Sequence, residues 1–258
     1  MSGPRLKTWD GLQALLIHSG RCEHEGELIR LSVPPTSNHI YTNAQLYNYH
    51  GLHRSRFPNQ PPLKLTLRAR ASHPAPLGTL GFGFWNDPFM LSGGGVLAAP
   101  NTVWFFYASP PSDMALAEGV PGWGWKAATL NAGQVPSLLL APAALAAIAL
   151  TRLPGLGRPV MTAARRVVQA HEALLSDVAL TDWHDYELDW QTDSAVFRVD
   201  GVERLRSPAP PRGPLGFVTW IDNQYAIASR TGKFGFGLCA TNEEQWLELE
   251  GLTLGGAG

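Results

Sequence analysis

Trp183-His184-Asp185-Tyr186-Glu187-Leu188-Asp189-Trp190, followed after a short gap by Ala195-Val196-Phe197-Arg198-Val199-Asp200-Gly201-Val202, decides the fold class of this chain. The first run alternates, with Tyr186, Leu188 and Trp190 on one side and Asp185, Glu187 and Asp189 on the other. That is the two-residue period of a strand with one buried face. The second run ends in Asp200-Gly201 and returns through Val202-Glu203-Arg204-Leu205. Both residues of a tight hairpin turn must accept positive φ, so Asp-Gly between two such runs predicts a hairpin. Leu63, Leu65 and Leu67 alternate in the same way with Lys64, Thr66, Arg68 and Arg70. Further strands are expected at 27–33, 78–85, 102–107, 215–221, 232–239 and 246–254, and Pro61-Pro62, Pro110-Pro111 and Pro210-Pro211 mark loops between them. The glycines at 81 and 83 would let another backbone or a ligand come close.

Many short strands separated by turn signals make an all-β sandwich, and 258 residues suit a single such domain, 1–258. One segment departs from the pattern. Residues 136–176 read as two helical pieces split by Leu153-Pro154-Gly155-Leu156-Gly157-Arg158-Pro159. In the second piece Val160, Ala164, Val167, His171 and Leu174 share a face, while Arg165, Arg166, Gln169 and Glu172 do not. A two-helix insertion at 136–176, too small for its own core, is therefore expected to cover part of the sandwich.

A net charge of -1 gives no reason to expect nucleic acid or an anionic membrane as partner. No run reaches the length of a transmembrane segment. The first twenty residues carry Arg5, Lys7 and Asp10, and their apolar run 12–17 is short, so no signal peptide is expected and the cytoplasm is the simplest location. Cys22 and Cys239 are too few for a disulfide framework; a bridge between them is geometrically possible, but two buried thiols are expected. His50-Gly51-Leu52-His53 and Cys22-Glu23-His24 lack the spacing of a structural zinc site, so no metal ligands are assigned. Ser92-Gly93-Gly94-Gly95 is not followed by the Gly-Lys of a P-loop, and no Gly-x-Ser-x-Gly elbow is present.

Trp183-His184-x-Tyr186 ending in Trp190, with the following strand closing in Asp200-Gly201, resembles the late-strand signature of glycoside hydrolase family 16. Gly81-Phe82-Gly83-Phe84-Trp85 is similar to that family's earlier Gly-rich, Trp-containing strand, and Ala44-Gln45 and 63–70 sit where it places its opening strands. The resemblance spans 44–254 without the helical segment and implies a concanavalin-A-like jelly roll. It would place the catalytic carboxylates on the strand after Phe84-Trp85, as Glu-x-Asp-x-x-Glu or Glu-x-Asp-x-Glu, close enough for retaining hydrolysis. The corresponding run here, Asn101-Thr102-Val103-Trp104-Phe105-Phe106-Tyr107-Ala108, has no carboxylate. Glu187-Leu188-Asp189 is the nearest textual match, but on the wrong strand, so no catalytic residue is carried over. The resemblance also implies a possible structural calcium ion, with oxygen ligands at Glu25, Glu27 or Asp189; no other cofactor is expected.

In place of acids the expected central strand offers aromatic rings, either Trp104 and Phe106 or, on its other face, Val103, Phe105 and Tyr107. Aromatic faces backed by Asp and Asn suit sugars, because C–H faces stack while hydroxyls need donors and acceptors. The candidate ligand contacts are Trp85, Asn86, Asp87, Trp104, Tyr107, Trp123, Trp125, Trp220, Asp222, Asn223 and Tyr225, with Trp85, Asp87 and Trp220 as the expected cluster. Asp185, Glu187 and Asp189 read as a solvated outer face. Two functions are compatible with this set. One is a non-hydrolytic, lectin-like carbohydrate-binding protein. The other is an enzyme acting on a small, partly apolar molecule under the helical insertion, with Asp87, Asp113, His184 and Asp222 as candidate acid/base groups. An open groove would favour the first and a closed cavity the second.

Overall fold

Alternation along a strand becomes sidedness in a sheet, and sheets with one apolar side close on each other. The computed structural model describes residues 5–9, 11–88, 98–114, 117, 119–132, 169–228 and 234–256. Among these the strands are β1 (Arg5–Trp9), β2 (Leu12–Ile17), β3 (Arg21–Glu25), β4 (Leu28–Val33), β5 (Asn43–Tyr47), β6 (Leu63–Ala71), β7 (Thr79–Trp85), β8 (Asn101–Ala108), β9 (Gly124–Asn131), β10 (Gln169–Leu174), β11 (His184–Trp190), β12 (Ser194–Val199), β13 (Val202–Pro208), β14 (Gly216–Asp222), β15 (Gln224–Ala228), β16 (Phe234–Leu238) and β17 (Gln245–Gly255). They form an eight-stranded sheet, β1-β2-β5-β14-β7-β8-β9-β10, a seven-stranded sheet, β13-β12-β11-β6-β17-β4-β3, and the separate hairpin β15-β16. Pairing within the sheets is antiparallel throughout. The expected jelly-roll β-sandwich is what forms.

The core lies between the two large sheets. Phe82, Phe84, Val103, Phe105 and Phe217 of the first meet Leu65, Tyr186, Leu188, Trp190 and Phe197 of the second, all buried. Ring pairs cross the gap, with Phe82 5.1 Å from Tyr186, Phe84 5.3 Å from Trp190 and Phe105 5.2 Å from Phe197. Tyr186, Leu188 and Trp190 thus point inward, as their alternation predicted. The β12–β13 turn has Asp200 at φ 52 and Gly201 at φ 75, the positive-φ pair that Asp-Gly foretold.

The carboxylates opposite these core residues lie on the outer face of the seven-stranded sheet, two of them paired with bases and Asp189 accepting from the Gln191 amide at 2.6 Å. Glu187 meets Lys64 at 2.8 Å and also Arg198, and Asp185 meets Arg68 at 3.3 Å. Further along that face, Arg70 stacks on the rings of Trp183 (4.8 Å) and Trp246 (5.4 Å), and Arg30 also stacks on Trp246 (4.7 Å). The nearly buried carboxylate of Glu248 ties Arg30 (2.6 Å) to Arg70 (2.8 Å).

One expectation is overturned in part. The helical reading extended over 136–176, but Gln169–Leu174 is the edge strand β10, paired in register with β9 from Gln169↔Asn131 to Leu174↔Lys126. His171 and Leu174 have a helical spacing in sequence, but β9 offers this segment a continuous row of backbone partners, and a strand satisfies its own polar groups there. Leu175 and Ser176 follow β10 without helical structure, and the rest of the expected insertion, 136–168, lies outside the described residues. Cys22 and Cys239 are buried and unbridged. Glu25 and Glu27 belong to the β3–β4 hairpin at one edge of the seven-stranded sheet, whereas Asp189 sits on β11 beyond β4, β17 and β6. His53 accepts a hydrogen bond from the Ser55 amide and caps a short 3₁₀ turn, Arg54–Arg56.

Candidate functional site

Closure of the sandwich sorts the two faces of β8. Val103, Phe105 and Tyr107 turn inward, leaving Thr102, Trp104 and Phe106 on the outer face of the eight-stranded sheet. The register then builds a platform. Trp220 on β14 is opposite Gly81 on β7, which is opposite Phe106; one step along, Val218, Gly83 and Trp104 align, and one step further Gly216, Trp85 and Thr102. The rings meet: Trp104 is 5.2 Å from Trp220 and 6.1 Å from Trp85, Phe106 stacks on Trp104 at 5.3 Å, and Trp85 lies parallel to Trp220 at 6.4 Å. A side chain at 81 would meet the Trp220 ring at 2.9 Å, and one at 83 would meet the Trp104 backbone at 2.5 Å. Gly81 therefore makes room for the Phe105 carbonyl and the Trp220 ring, and Gly83 for the β8 backbone at Val103 and Trp104. The close approach expected at them is made by neighbouring strands.

Polar groups border this slab. At one end, the carboxylate of Asp222 accepts hydrogen bonds from the Thr79 amide (3.3 Å) and hydroxyl (2.8 Å), the Gln224 amide (3.1 Å) and the Tyr41 hydroxyl (3.3 Å). The Trp220 indole N–H donates to the same Thr79 hydroxyl at 2.9 Å, linking the slab to the acid. Burial pushes the Asp222 carboxyl up to about 6, against the pull of those hydrogen bonds. At the other end, Tyr49 receives the Trp85 indole N–H, Tyr47 and His50 share a 2.8 Å hydrogen bond, and Arg54 donates to the Asn86 and Asp87 carbonyls at 2.7 and 2.6 Å. Along the β9 side the buried ammonium of Lys126 meets Glu172 at 3.3 Å, and Glu172 also accepts from the Ala117 amide. Burial lowers the Lys126 pKa, opposed by Glu172 and then by Asp113.

The sequence-selected residues divide accordingly. Trp85, Trp104 and Trp220 come together, with Asp222 beside them. Tyr107 and Trp125 do not: both face the core between the sheets, Trp125 against Phe82, Phe105 and Tyr186, so neither presents a ring to a ligand. Asn86 and Asn223 are buried staples, the first holding Ala99 and Asn101, the second holding Ile40, Thr42 and Cys239. Asp87 is buried at the Trp85 end, with φ 44. Asp113 and Tyr225 belong to the hairpin side, where Asp113 bridges to Ile227. Trp123 is half exposed on the loop before β9. His184 lies on the opposite sheet with both ring nitrogens engaged, by Asp200 (2.6 Å) and the Ala179 carbonyl (3.1 Å), so it is no acid/base partner for this face. Sequence reasoning missed Tyr47, Gln45, Lys126 and Glu172, whose place on the slab's face is set by pairing between distant strands.

The Asp222 assignment carries a pH signature. Unfolded, its carboxyl ionises near 4, whereas folded it holds its proton up to about 6. Its contribution is thus fully present below pH 4 and lost as pH rises through 6. Relative to Asp222→Asn, the wild type should lose about 2–3 kcal/mol between pH 4 and 7, read from urea midpoints at each pH. A difference that stays flat across that window would return the carboxyl to its ordinary range.

No protein-family model matches the chain, and no curated protein does either. It is similar in backbone to a number of solved structures. The Bacillus licheniformis β-glucanase is 12% identical, with 97% of this chain and 96% of that one aligned and a TM-score of 0.47. The Emp47p carbohydrate recognition domain is 12% identical over 98% and 91%, with a TM-score of 0.48. A Bacteroides ovatus mixed-linkage-glucan GH16 protein in complex with its G4G4G3G product is 11% identical over 91% and 84%, with a TM-score of 0.47.

Proposed function

We propose that this protein binds carbohydrate without cleaving it, using the outer face of the eight-stranded sheet. The observation that carries the reading is the slab of Trp85, Trp104, Phe106 and Trp220, contiguous and bordered by amide, hydroxyl and carboxylate groups. Rings of this kind stack on the C–H faces of sugars, and the border supplies partners for hydroxyls. The side chains of β8 on that face are Thr102, Trp104, Phe106 and Ala108, so the strand itself presents no carboxylate there. Calorimetry with glycans that score on an array tests this. Trp104→Ala should weaken binding by about 2 kcal/mol, roughly 30-fold in Kd, with no shortening of the glycan. Unchanged affinity in that variant, or release of new reducing ends, would refute it.

A second reading, an acid/base enzyme for a small and partly apolar substrate, is favoured by one observation: a buried carboxyl titrating near 6, joined through Thr79 to the slab. Such a pKa suits proton transfer at neutral pH. It predicts turnover of a captured apolar compound that Asp222→Asn abolishes while binding persists.

A further inference from the structure

We propose that Gln45 and Thr102 are the two hydrogen-bonding ends of a site for a neutral oligosaccharide chain laid diagonally across the slab. This rests on the carbohydrate-binding reading and names its ligand class. Buried polar side chains are nearly always paired. The Gln45 Nε2 and the Thr102 Oγ1 are buried and have no hydrogen-bond partner among the described residues. Both sit on the slab's own face, since Gln45 is opposite Trp220 across β5 and β14, and Thr102 is opposite Trp85 across β8 and β7. Leaving such atoms unpaired destabilises the free protein, and a ligand that pairs them recovers that loss on binding.

Their separation fixes the length of the ligand. Strands β14 and β7 lie between β5 and β8, and the rows containing Gln45 and Thr102 are four residues apart along β8. Ordinary strand spacing and rise then put the two about 20 Å apart. One sugar ring cannot span that distance, whereas a chain can, passing over Trp220, Trp104 and Trp85 on the way. The Gln45 amide donates and so asks for a ligand oxygen; the Thr102 hydroxyl donates or accepts. Neither carries a charge, which matches hydroxyl-bearing, uncharged sugars. Neither atom meets water in the free chain, so a bound glycan must shift the neighbouring rings, and tryptophan fluorescence should change on binding.

The test compares wild type, Thr102→Val, Gln45→Leu and Thr219→Val on one array of neutral and acidic oligosaccharides one to six sugars long. Thr219 also has a hydroxyl without a partner among the described residues, but faces the core, and serves as the control. The wild type should prefer neutral chains of several sugars over single sugars. Thr102→Val and Gln45→Leu should each lose about tenfold in affinity, and Thr219→Val none. Removing an unpaired buried group should leave the melting temperature of the first two at or above wild type, which separates lost contacts from lost folding. Equal affinity for one sugar and for six, a preference for acidic chains, or full binding by both variants would overturn the proposal with the carbohydrate reading intact. A wild type that binds no glycan would remove both.

Discussion

Trp190→Ala is expected to destabilise the protein by about 3–5 kcal/mol, the usual range for removing a fully buried aromatic side chain. Trp190 has no exposed surface and meets Phe84 across the sandwich at 5.3 Å. Its indole N–H donates to the Pro211 carbonyl at 2.9 Å, so truncation opens a cavity in the middle of the core and also strands a buried acceptor. Urea unfolding at constant m should show the loss as a shifted midpoint. Trp190→Phe should recover part of it, since the ring returns but the hydrogen bond does not. A midpoint shift worth less than about 1 kcal/mol would show that this position packs far more loosely than its burial indicates.

Gly83→Ala should cost nearly as much, about 3–5 kcal/mol, by a different route. Gly83 has φ 147, a conformation that side-chain-bearing residues rarely adopt, and a Cβ there would meet the Val103 carbonyl oxygen and the Trp104 Cα, each at 2.5 Å. Both the strained backbone and the overpacked contact contribute. The clashing atoms are backbone, so relief requires β7 and β8 to move apart, which should also displace Trp104 and weaken glycan binding. Stability and affinity measured on the same variant check the two effects together. If Gly83→Ala folds with wild-type stability, the platform does not depend on this close approach.

These two positions also show how differently the sequence speaks. Trp190 could be assigned to the core from its place in an alternating run ending Leu188-Asp189-Trp190, because acids on one side of a strand leave the other side to the interior. Gly83 could be marked only as a place of close approach; the partner, a tryptophan on the next strand, came from register. The Lys126–Glu172 pair was beyond reach, since 46 residues separate the two and each looks locally like an ordinary surface charge.

The alternating runs, the Asp200-Gly201 turn and the spacing of loop signals were enough to establish an all-β sandwich, because a period of two and a turn that accepts positive φ are local properties of the chain. Two matters were settled only by tertiary structure. Residues 101–108 are aromatic on both sides, so nothing local says which side meets the second sheet; closure put Val103, Phe105 and Tyr107 inside and left Trp104 and Phe106 on the outer face. Residues 169–174 carry a helical pattern, and only the presence of β9, with its row of unpaired backbone groups, made them a strand. In both cases the deciding free energy belongs to a partner distant in sequence.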